Sequence, residues 1–493
     1  MPVKRQSTKG KKMTDNTFLL NDAQVQQFIT DGYITVRADY PPEFHQAIYQ
    51  QIEVMFEAEG NTGNNILPRI PQIQKVFDHP ALKGALTSLL GESYIMNPHR
   101  HCHLNPPDSK GQHWHKDCYV FDHNMRHPRF QWVLALYYPQ DTTEDMGPTG
   151  LLSGKQFYKK VSHADPQLAS EPAAPLCGEA GTVSLVHFDA WHRATPNLSA
   201  KKRYMLKFQF ARMQTPQAPS WNHKRREWTG DANDENRAAS VDVWNWLCGN
   251  HSPSEPDGSG DTASTLVGAL QDKSETVRLN AAYTLGKMGS SVVPVLIDAM
   301  RKETLASIEE TTAKPPDNLH GTNPTAGYAA QALAAIGSQA VPALVETLED
   351  EHWWVRAMTT DVLTKIGQSV GDAVPALMER TSDEHWWVRR NALEALGTIG
   401  SCSSNTTVLL VDAVRDEDYR VRRNAALTLA KLGQPVDEAI PGLVEMLEDE
   451  NRYNRFYAAN ALRRIDTSAA REALMSALFT ARWCSITTKN NQY

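Results

Sequence analysis

The chain has 493 residues, more than one hydrophobic core usually supports, so we expect at least two domains. Its formal net charge of −7 excludes the overall basic footprint of a nucleic-acid-binding protein. No apolar run is long enough for a membrane span or a signal peptide, and the six cysteines form no C-x-x-C pair, so we expect a cytoplasmic protein.

The N-terminal segment predicts a tail and two helices. Residues 1–17 are basic and polar, which predicts a disordered tail. "NDAQVQQFITDGYITV" predicts a helix that is capped by Asn21 or Asp22, ends at Gly32 and leads into a β-branched strand. "PPEFHQAIYQQIEVMFEAEG" predicts an amphipathic helix that ends at Gly60.

From about Ser93 to Met213 the sequence favours strands. "FQWVLALYY", "GTVSLVHF" and "RYMLKFQFAR" are rich in β-branched and aromatic residues and lie between clusters of Pro, Gly and Asn. "SPSEPDGSGDTAS" then has the Gly, Pro and Ser content of a flexible linker. We therefore expect few contacts between the parts of the chain on either side of it.

The second half repeats with a period of 33 residues. "DEHWWVR" at Asp350 recurs at Asp383, and the related "DEDYRVR" and "DENRYNR" begin at Asp416 and Asp449. Helix pairs that each bury one face must stack, so an α-solenoid is predicted. From about Thr262 to Asp466 the pattern resembles HEAT repeats, specifically the short HEAT-like repeats first associated with phycobilisome lyases. The predicted segments are a tail (1–17), a mixed domain (18–250), a linker (251–261), the repeats (262–480) and a C-terminal tail (481–493).

Two tryptophan pairs stand one repeat apart, Trp353 with Trp354 and Trp386 with Trp387. One interpretation is that these rings pack between adjacent repeats. The other is that they form an exposed surface that binds a protein partner. No residue pattern in the repeats indicates catalysis, so any chemistry is expected in the first half.

"GQHWHKDCYV" holds three possible metal ligands, His113, His115 and Asp117. A non-heme iron site needs two imidazoles and one carboxylate on one face of the metal. Because residues i and i+2 of an extended chain point to the same side, His115 and Asp117 can reach one ion. A third ligand must come from elsewhere in the fold, since His113 as an adjacent ligand would fill an open position.

Two residues compete to be the third ligand. His187 forms its own His-x-Asp with Asp189, but that pair would need a distant second histidine. His192 lies too close to Asp189 to serve that pair, but it can complete the site of the first motif. We interpret His113 and His187 as structural, with a supporting role beside the metal as the alternative for His187.

Arg203 follows His192 by eleven residues, across a predicted hairpin connection in "WHRATPNLSAKKR". The strand that Arg203 opens alternates Arg203, Lys207 and Gln209 with large apolar side chains. This alternation places Arg203 on the polar face of the strand. An arginine there is suited to bind a planar carboxylate through two hydrogen bonds.

His115-x-Asp117, His192 and Arg203, in this order and spacing, resemble the phytanoyl-CoA dioxygenase family of Fe(II)/2-oxoglutarate oxygenases. "FITDGYITV", "NPPD" and "WHRATPNLSAKKR" fall in the family's order as well, and the resemblance covers roughly residues 20–213. It implies a double-stranded β-helix (jelly-roll) domain with flanking helices, which the all-α repeats follow. It also implies that the two histidines and the aspartate bind Fe(2+) and that Arg203 holds the cosubstrate 2-oxoglutarate.

Three further cosubstrate contacts are implied by the resemblance. Trp132 matches an aromatic residue that the family places near the cosubstrate. Ala194 replaces a serine that is common in the family, so Thr195 is expected to supply the missing hydroxyl. The family's upstream basic contact has no clean match, and Arg69 is assigned to it.

"NPHRHCH" places Asn97, His99, His101 and His103 on one strand face, a polar row that is either structural or lines the substrate pocket. The pocket residues expected are Asn97, His99, His101, Gln112 and Gln209.

The function implied is a dioxygenase that uses O₂ to hydroxylate a small organic molecule, with repeats that bind a protein partner. Asp117 favours oxygen transfer, since related halogenases carry a small residue at this position. Two alternatives stay open: a protein-interaction scaffold, and a protein hydroxylase whose substrate is recruited by the repeats.

Overall fold

The computed structural model describes residues 16–117, 127–159, 173–225, 227–231, 234–250, 262–313, 327–400 and 403–480. Nearly all of the predicted N-terminal tail, the predicted linker at 251–261 and the predicted tail at 481–493 lie outside these residues.

Helices precede and cover the first sheet. Asn21 caps the first helix in a capping box with Gln24, and Gly32 ends it at a φ of 80°. Gly60 ends the second helix, so both predicted ends are confirmed. The helices of this part are α1 (Asp22–Asp31), α2 (Pro42–Glu59), α3 (Ile66–Arg69), α4 (Gln72–Asp78) and α5 (Pro80–Leu90).

Two antiparallel sheets form the centre of the first half. The larger has the strand order β1-β6-β3-β8-β2 and the smaller β5-β4-β7, so the strands predicted in this half are confirmed. Closure of these sheets into a complete jelly roll stays a prediction. The strands are β1 (Tyr33–Arg37), β2 (Ile95–Asn105), β3 (Trp132–Tyr137), β4 (Thr149–Leu151), β5 (Ala174–Pro175), β6 (Thr182–His187), β7 (His192–Ala194) and β8 (Arg203–Ala211).

The larger sheet buries both faces, because its strands alternate between two apolar clusters. On one face Ala135 and Phe208 pack with Ile52 of α2. On the other face Leu134 and Leu136 share a cluster with residues of the smaller sheet. This second face is where polar side chains interrupt the apolar surface and a site forms.

The second half is an array of helix pairs, as the 33-residue period predicts. In the array, Arg356 binds Asp383 of the next repeat through two hydrogen bonds of 2.8 and 2.9 Å, and Arg389 binds Asp416 in the same way. The motif recurs every 33 residues, and this fixed spacing places an Arg of one repeat next to an Asp of the following repeat. The helices are α6 (Arg237–Leu247), α7 (Ala263–Ala269), α8 (Glu275–Lys287), α9 (Val293–Ala313), α10 (Tyr328–Ile336), α11 (Val341–Thr347), α12 (Trp353–Ile366), α13 (Val374–Arg380), α14 (Trp386–Ile399), α15 (Ser404–Ala413), α16 (Tyr419–Leu432), α17 (Ile440–Met446), α18 (Arg452–Ile465) and α19 (Ser468–Thr480).

The tryptophan pairs pack within the array. Trp354 and Trp387 are buried, whereas Trp353 stacks on His385 of the next repeat with ring centroids 3.5 Å apart. Trp386 lies under the guanidinium of Arg420. Packing between repeats is confirmed, and a protein-binding role of these rings stays a prediction.

The two halves are in direct contact. Arg129 binds Asp242 and donates to the backbone oxygens of Ala334 and Lys365 in the repeats. The apolar cluster of the first half continues into helices α8, α10 and α12. The expectation that few contacts cross the join is therefore wrong, because linker composition reports on chain flexibility and not on the surfaces it connects.

One helical stretch among the described residues, Tyr328–Thr347, has the length and hydropathy of a membrane span. It comprises α10 and α11, and 72% of it is buried within the fold. It is a core segment of the repeat array.

Candidate metal centre

His115 and His192 lie directly opposite each other. His115 N–H donates to the oxygen of His192, and His192 N–H donates back, both at 3.0 Å. This bridge joins the segment after β2 to β7 and sets the ring centroids 4.5 Å apart. Asp117 completes the group, and one ligand atom from each of the three residues lies within 4.8 Å of the others.

Both imidazoles are oriented by backbone oxygens. Nδ1 of His115 lies 2.9 Å from the oxygen of His113, and Nδ1 of His192 lies 3.0 Å from the oxygen of Ala190. Since a carbonyl only accepts, each Nδ1 carries the hydrogen and each Nε2 keeps a lone pair for a metal. Burial lowers the pKa of His192 to about 4, so this ring is neutral at pH 7.

Lys207 compensates the charge of Asp117. Its Nζ lies 2.9 and 3.0 Å from the two carboxylate oxygens, and both side chains are buried. A buried carboxylate needs such a counter-ion. A metal ion bound to Asp117 would take over this role, so lysine and metal compete for the same charge.

Arg203 lies in the same cavity with one nitrogen available. Its Nε and Nη2 donate to the oxygen of Gly147 at 3.1 and 2.7 Å. Its Nη1 is buried and has no hydrogen-bond partner among the described residues. A Cβ at position 147 would lie 2.3 Å from Nδ2 of Asn105, so only glycine brings the backbone close enough to hold the guanidinium.

The cavity between the sheets has a volume of about 420 Å³. Its lining combines polar and apolar side chains. Its lining includes the three grouped residues with Arg203, Lys207, His99, His101, His103 and Gln112, and the side chains of Leu134, Leu136, Leu151, Val186 and Met205.

Comparison with protein families assigns the first half. Residues 30–205 match the family model for phytanoyl-CoA dioxygenase (PhyH). This chain contains a PhyH domain. HEAT repeats follow it, with matches to HEAT repeats at 406–483, to the HEAT repeat at 264–292 and 373–403, and to the PBS lyase HEAT-like repeat at 326–350.

Solved structures that resemble the chain include ThoJ, SnoK and CytC3. ThoJ, a non-heme monooxygenase in a nickel complex, is 17% identical, with a TM-score of 0.31, covering 45% of this chain and 94% of ThoJ. SnoK, a non-heme alpha-ketoglutarate-dependent carbocyclase from nogalamycin biosynthesis, is 16% identical, with a TM-score of 0.33 and coverages of 40% and 85%. CytC3 with Fe(II) and alpha-ketoglutarate is 15% identical, with a TM-score of 0.32 and coverages of 40% and 79%. No curated protein matches the chain.

Three of the expected pocket residues line the cavity of the PhyH domain, namely His99, His101 and Gln112. Asn97 and Gln209 do not line it. Both are buried and bind each other, with Asn97 Nδ2 donating to Gln209 Oε1 at 3.2 Å. This hydrogen bond links β2 to β8.

Two expected cosubstrate contacts are not met. Arg69 lies on α3 and pairs with Glu59 at 2.8 Å, so its guanidinium is committed outside the cavity. Thr195 donates its hydroxyl to the oxygen of Pro148 at 2.7 Å. Neither side chain lines the cavity of the PhyH domain.

Trp132 occupies the same face of β3 as Leu134 and Leu136, but further along the strand. It is buried, packs on Phe188 and does not line the cavity. The expected position beside the cosubstrate is therefore not reproduced.

The other two histidines lie outside the group. His113 is exposed, and its backbone oxygen accepts from Nδ1 of His115. His187 is buried against Phe28, Phe130 and Phe157, and its Nδ1 accepts from the N–H of Asp189.

The sequence does not predict the roles of Lys207 and Tyr453. Lys207 is recognisable as a polar residue on the cavity face of β8, but its pairing with Asp117 depends on strand register. Tyr453 belongs to the repeats and lies 2.8 Å from His99. No local pattern indicates a contact between residues so far apart in the chain.

Proposed function

We propose that the PhyH domain is an Fe(II)- and 2-oxoglutarate-dependent dioxygenase that hydroxylates a small organic molecule. The observation that carries this proposal is the convergence of His115, Asp117 and His192 in a cavity that also holds Nη1 of Arg203 without a partner. The family match supports the same reaction class.

The residues fit the metal and the cosubstrate. Two imidazoles and one carboxylate on one side of an ion are the donor set of non-heme Fe(II) oxygenases, and they leave positions for other ligands. The buried guanidinium of Arg203 fits a planar carboxylate, which would satisfy Nη1.

When bound, Fe(II) would supply the oxidative chemistry that couples O₂ consumption and decarboxylation of 2-oxoglutarate to oxygen insertion in the substrate. The backbone oxygens of His113 and Ala190 hold the two imidazoles in the metal-binding tautomer. Arg203 orients the distal carboxylate of the cosubstrate. The leucine wall of the cavity excludes water from the reacting centre.

A cavity of about 420 Å³ has the size of a small-molecule site. Asp117 keeps a carboxylate at the metal, which favours hydroxylation. Binding of a protein partner by the repeats and a cytoplasmic location belong to this proposal as expectations from the sequence.

The test is succinate formation from 2-oxoglutarate in the presence of Fe(II). His115→Ala, Asp117→Ala and His192→Ala should each abolish it. His113→Ala is the matched control, because it lies on the same segment and keeps the backbone oxygen that orients His115. Turnover that survives in all three variants would refute the proposed centre.

A further inference from the structure

A residue of the last repeat contacts a side chain that lines the cavity of the PhyH domain. Tyr453 is in the first turn of α18, and its hydroxyl lies 2.8 Å from Nδ1 of His99. His99 lines the cavity, and the two rings stack with an interplanar angle of 20°. The repeat array therefore forms part of the wall behind a cavity residue.

His99 lies in an irregular part of β2. The pairing of β2 with β8 shifts register between Met96 and Arg100, which is an irregularity that re-aims side chains. The backbone groups released by this shift are satisfied by side chains, since Arg100 N–H donates to Asn64 at 3.0 Å. The bulge is thus a defined feature of the cavity wall.

Position 453 differs from its counterparts in earlier repeats. Steps of 33 residues back from Tyr453 lead to Arg420, Trp387 and Trp354. The two tryptophans are buried between repeats. Tyr453 occupies the equivalent position at the end of the array, where the ring faces the PhyH domain. A phenol there supplies a polar group that the buried tryptophans do not offer to the cavity.

Arg452 contacts the same hydroxyl. Its Nη2 lies 3.3 Å from the Tyr453 oxygen, and because a guanidinium only donates, the oxygen accepts in this contact. This contact leaves the phenolic hydrogen available to Nδ1 of His99, 2.8 Å away. Burial and the nearby Lys207 lower the pKa of His99 to about 4, so the ring is neutral at pH 7. A neutral imidazole that accepts at Nδ1 carries its hydrogen on Nε2.

We propose that the last repeat completes the substrate site, with Tyr453 as a positioning residue that makes His99 a hydrogen-bond donor to a substrate oxygen. The substrate class is a small molecule that carries a carbonyl, carboxylate or hydroxyl oxygen near the carbon that is oxidised. This inference rests on the proposed function only in treating the cavity as the substrate site.

The first experiment reads the tautomer of His99 by NMR of the full-length, metal-free protein with ring-¹⁵N-labelled histidine. His99→Asn identifies the resonance. We expect the Nε2–H tautomer in the wild type and a loss of this preference in Tyr453→Phe, which removes only the hydroxyl. Arg415→Ala, which breaks the exposed ion pair with Glu445 elsewhere in the repeats, should leave the signal unchanged.

Acetate is the probe for the substrate oxygen. Titration should shift the Nε2–H signal of His99 saturably, and Tyr453→Phe should need about three- to tenfold more acetate, the effect of one hydrogen bond. Arg415→Ala should titrate like the wild type.

An Nδ1–H tautomer in the wild type, an unchanged tautomer in Tyr453→Phe, or a His99 signal that does not respond to acetate would overturn the inference. These readings need neither iron nor turnover. Failure of the wild type to form succinate would instead refute the proposed function, so the two failures are distinguishable.

Discussion

Two His-x-Asp motifs of identical spacing have different fates in this protein. His115 and Asp117 face His192 across a backbone bridge and open onto the cavity. His187 and Asp189 turn into the core, where Asp189 pairs with Lys116 at 2.7 Å. The motif alone does not make a metal centre. The first motif can hold a metal because His192, on the opposing strand, supplies the second imidazole.

The two motifs are also linked. Lys116 stands between the two residues of the first motif but points away from the cavity and neutralises the aspartate of the second. Lys207 neutralises Asp117, the aspartate of the first motif. Each buried carboxylate therefore has its own lysine, and only one of the two lysines lines the cavity.

The largest expected effect separates the two aspartates. Asp117→Asn should lose metal affinity well beyond the roughly 100-fold that loss of a supporting partner costs. Asp189→Asn should keep its metal affinity and instead lose about 3 kcal/mol of stability, because Lys116 loses its buried counter-ion. Calorimetric metal titration and denaturant unfolding measure the two quantities. Equal loss of metal affinity in both variants would contradict the different roles of Asp117 and Asp189.

Arg203 should act on the cosubstrate of the first motif and not on its metal. Removal of the charge-assisted pair costs on the order of 2–4 kcal/mol, so Arg203→Ala should raise the 2-oxoglutarate requirement at least about tenfold. Metal affinity should change little. Succinate formation at graded 2-oxoglutarate concentrations is the measurement, and an unaltered titration would remove Arg203 from the site.

The two lysines should have opposite effects when each is replaced by methionine. Lys207→Met removes the group that competes with the metal for Asp117, so metal affinity should rise about three- to tenfold. Lys116→Met should destabilise the fold without this gain. Tighter metal binding in both variants would show that the gain does not come from competition at Asp117.

The smallest expected effect is a pH dependence from the second motif. Burial lowers the pKa of His187 to about 4, below the 6.5 of an unfolded histidine. Between these two pKa values the unfolded chain binds a proton at this histidine and the folded chain does not. The free energy of unfolding is therefore highest above pH 6.5 and decreases as the pH falls toward 4. His187→Asn should flatten this part of the curve of unfolding free energy against pH. A slope identical to that of the wild type would place the acid sensitivity elsewhere.

Local pattern predicted much of the first motif. The i, i+2 spacing of His115 and Asp117 and the alternation along β8 are each local properties of one extended segment, which a sequence pattern can show. The places of Arg69 and Thr195 could not be predicted, because their side chains bind Glu59 and the oxygen of Pro148, and such competition is invisible without the fold.

Contacts between the halves could not be predicted for a different reason. The 33-residue period specifies how each repeat packs on its neighbours, but not which outer surface meets the PhyH domain. Arg129 and His99 bind residues more than 200 positions away, and no periodicity encodes such pairs. The predicted linker misled because its composition is independent of the surfaces on either side.

The ion pairs between repeats have a consequence for how this chain can change in length. Each of them, from Arg356–Asp383 to Arg422–Asp449, fixes the step from one repeat to the next. Solenoids that only bind partners gain or lose a repeat at little cost, because every interface is local. In this protein the distance of Tyr453 from the start of the array is set by the displacements between all the repeats that precede it. Deletion of one repeat would displace it by about 10 Å, one helix spacing, far outside hydrogen-bond reach of His99. The contact between Tyr453 and His99 therefore depends on the number of repeats that precede it.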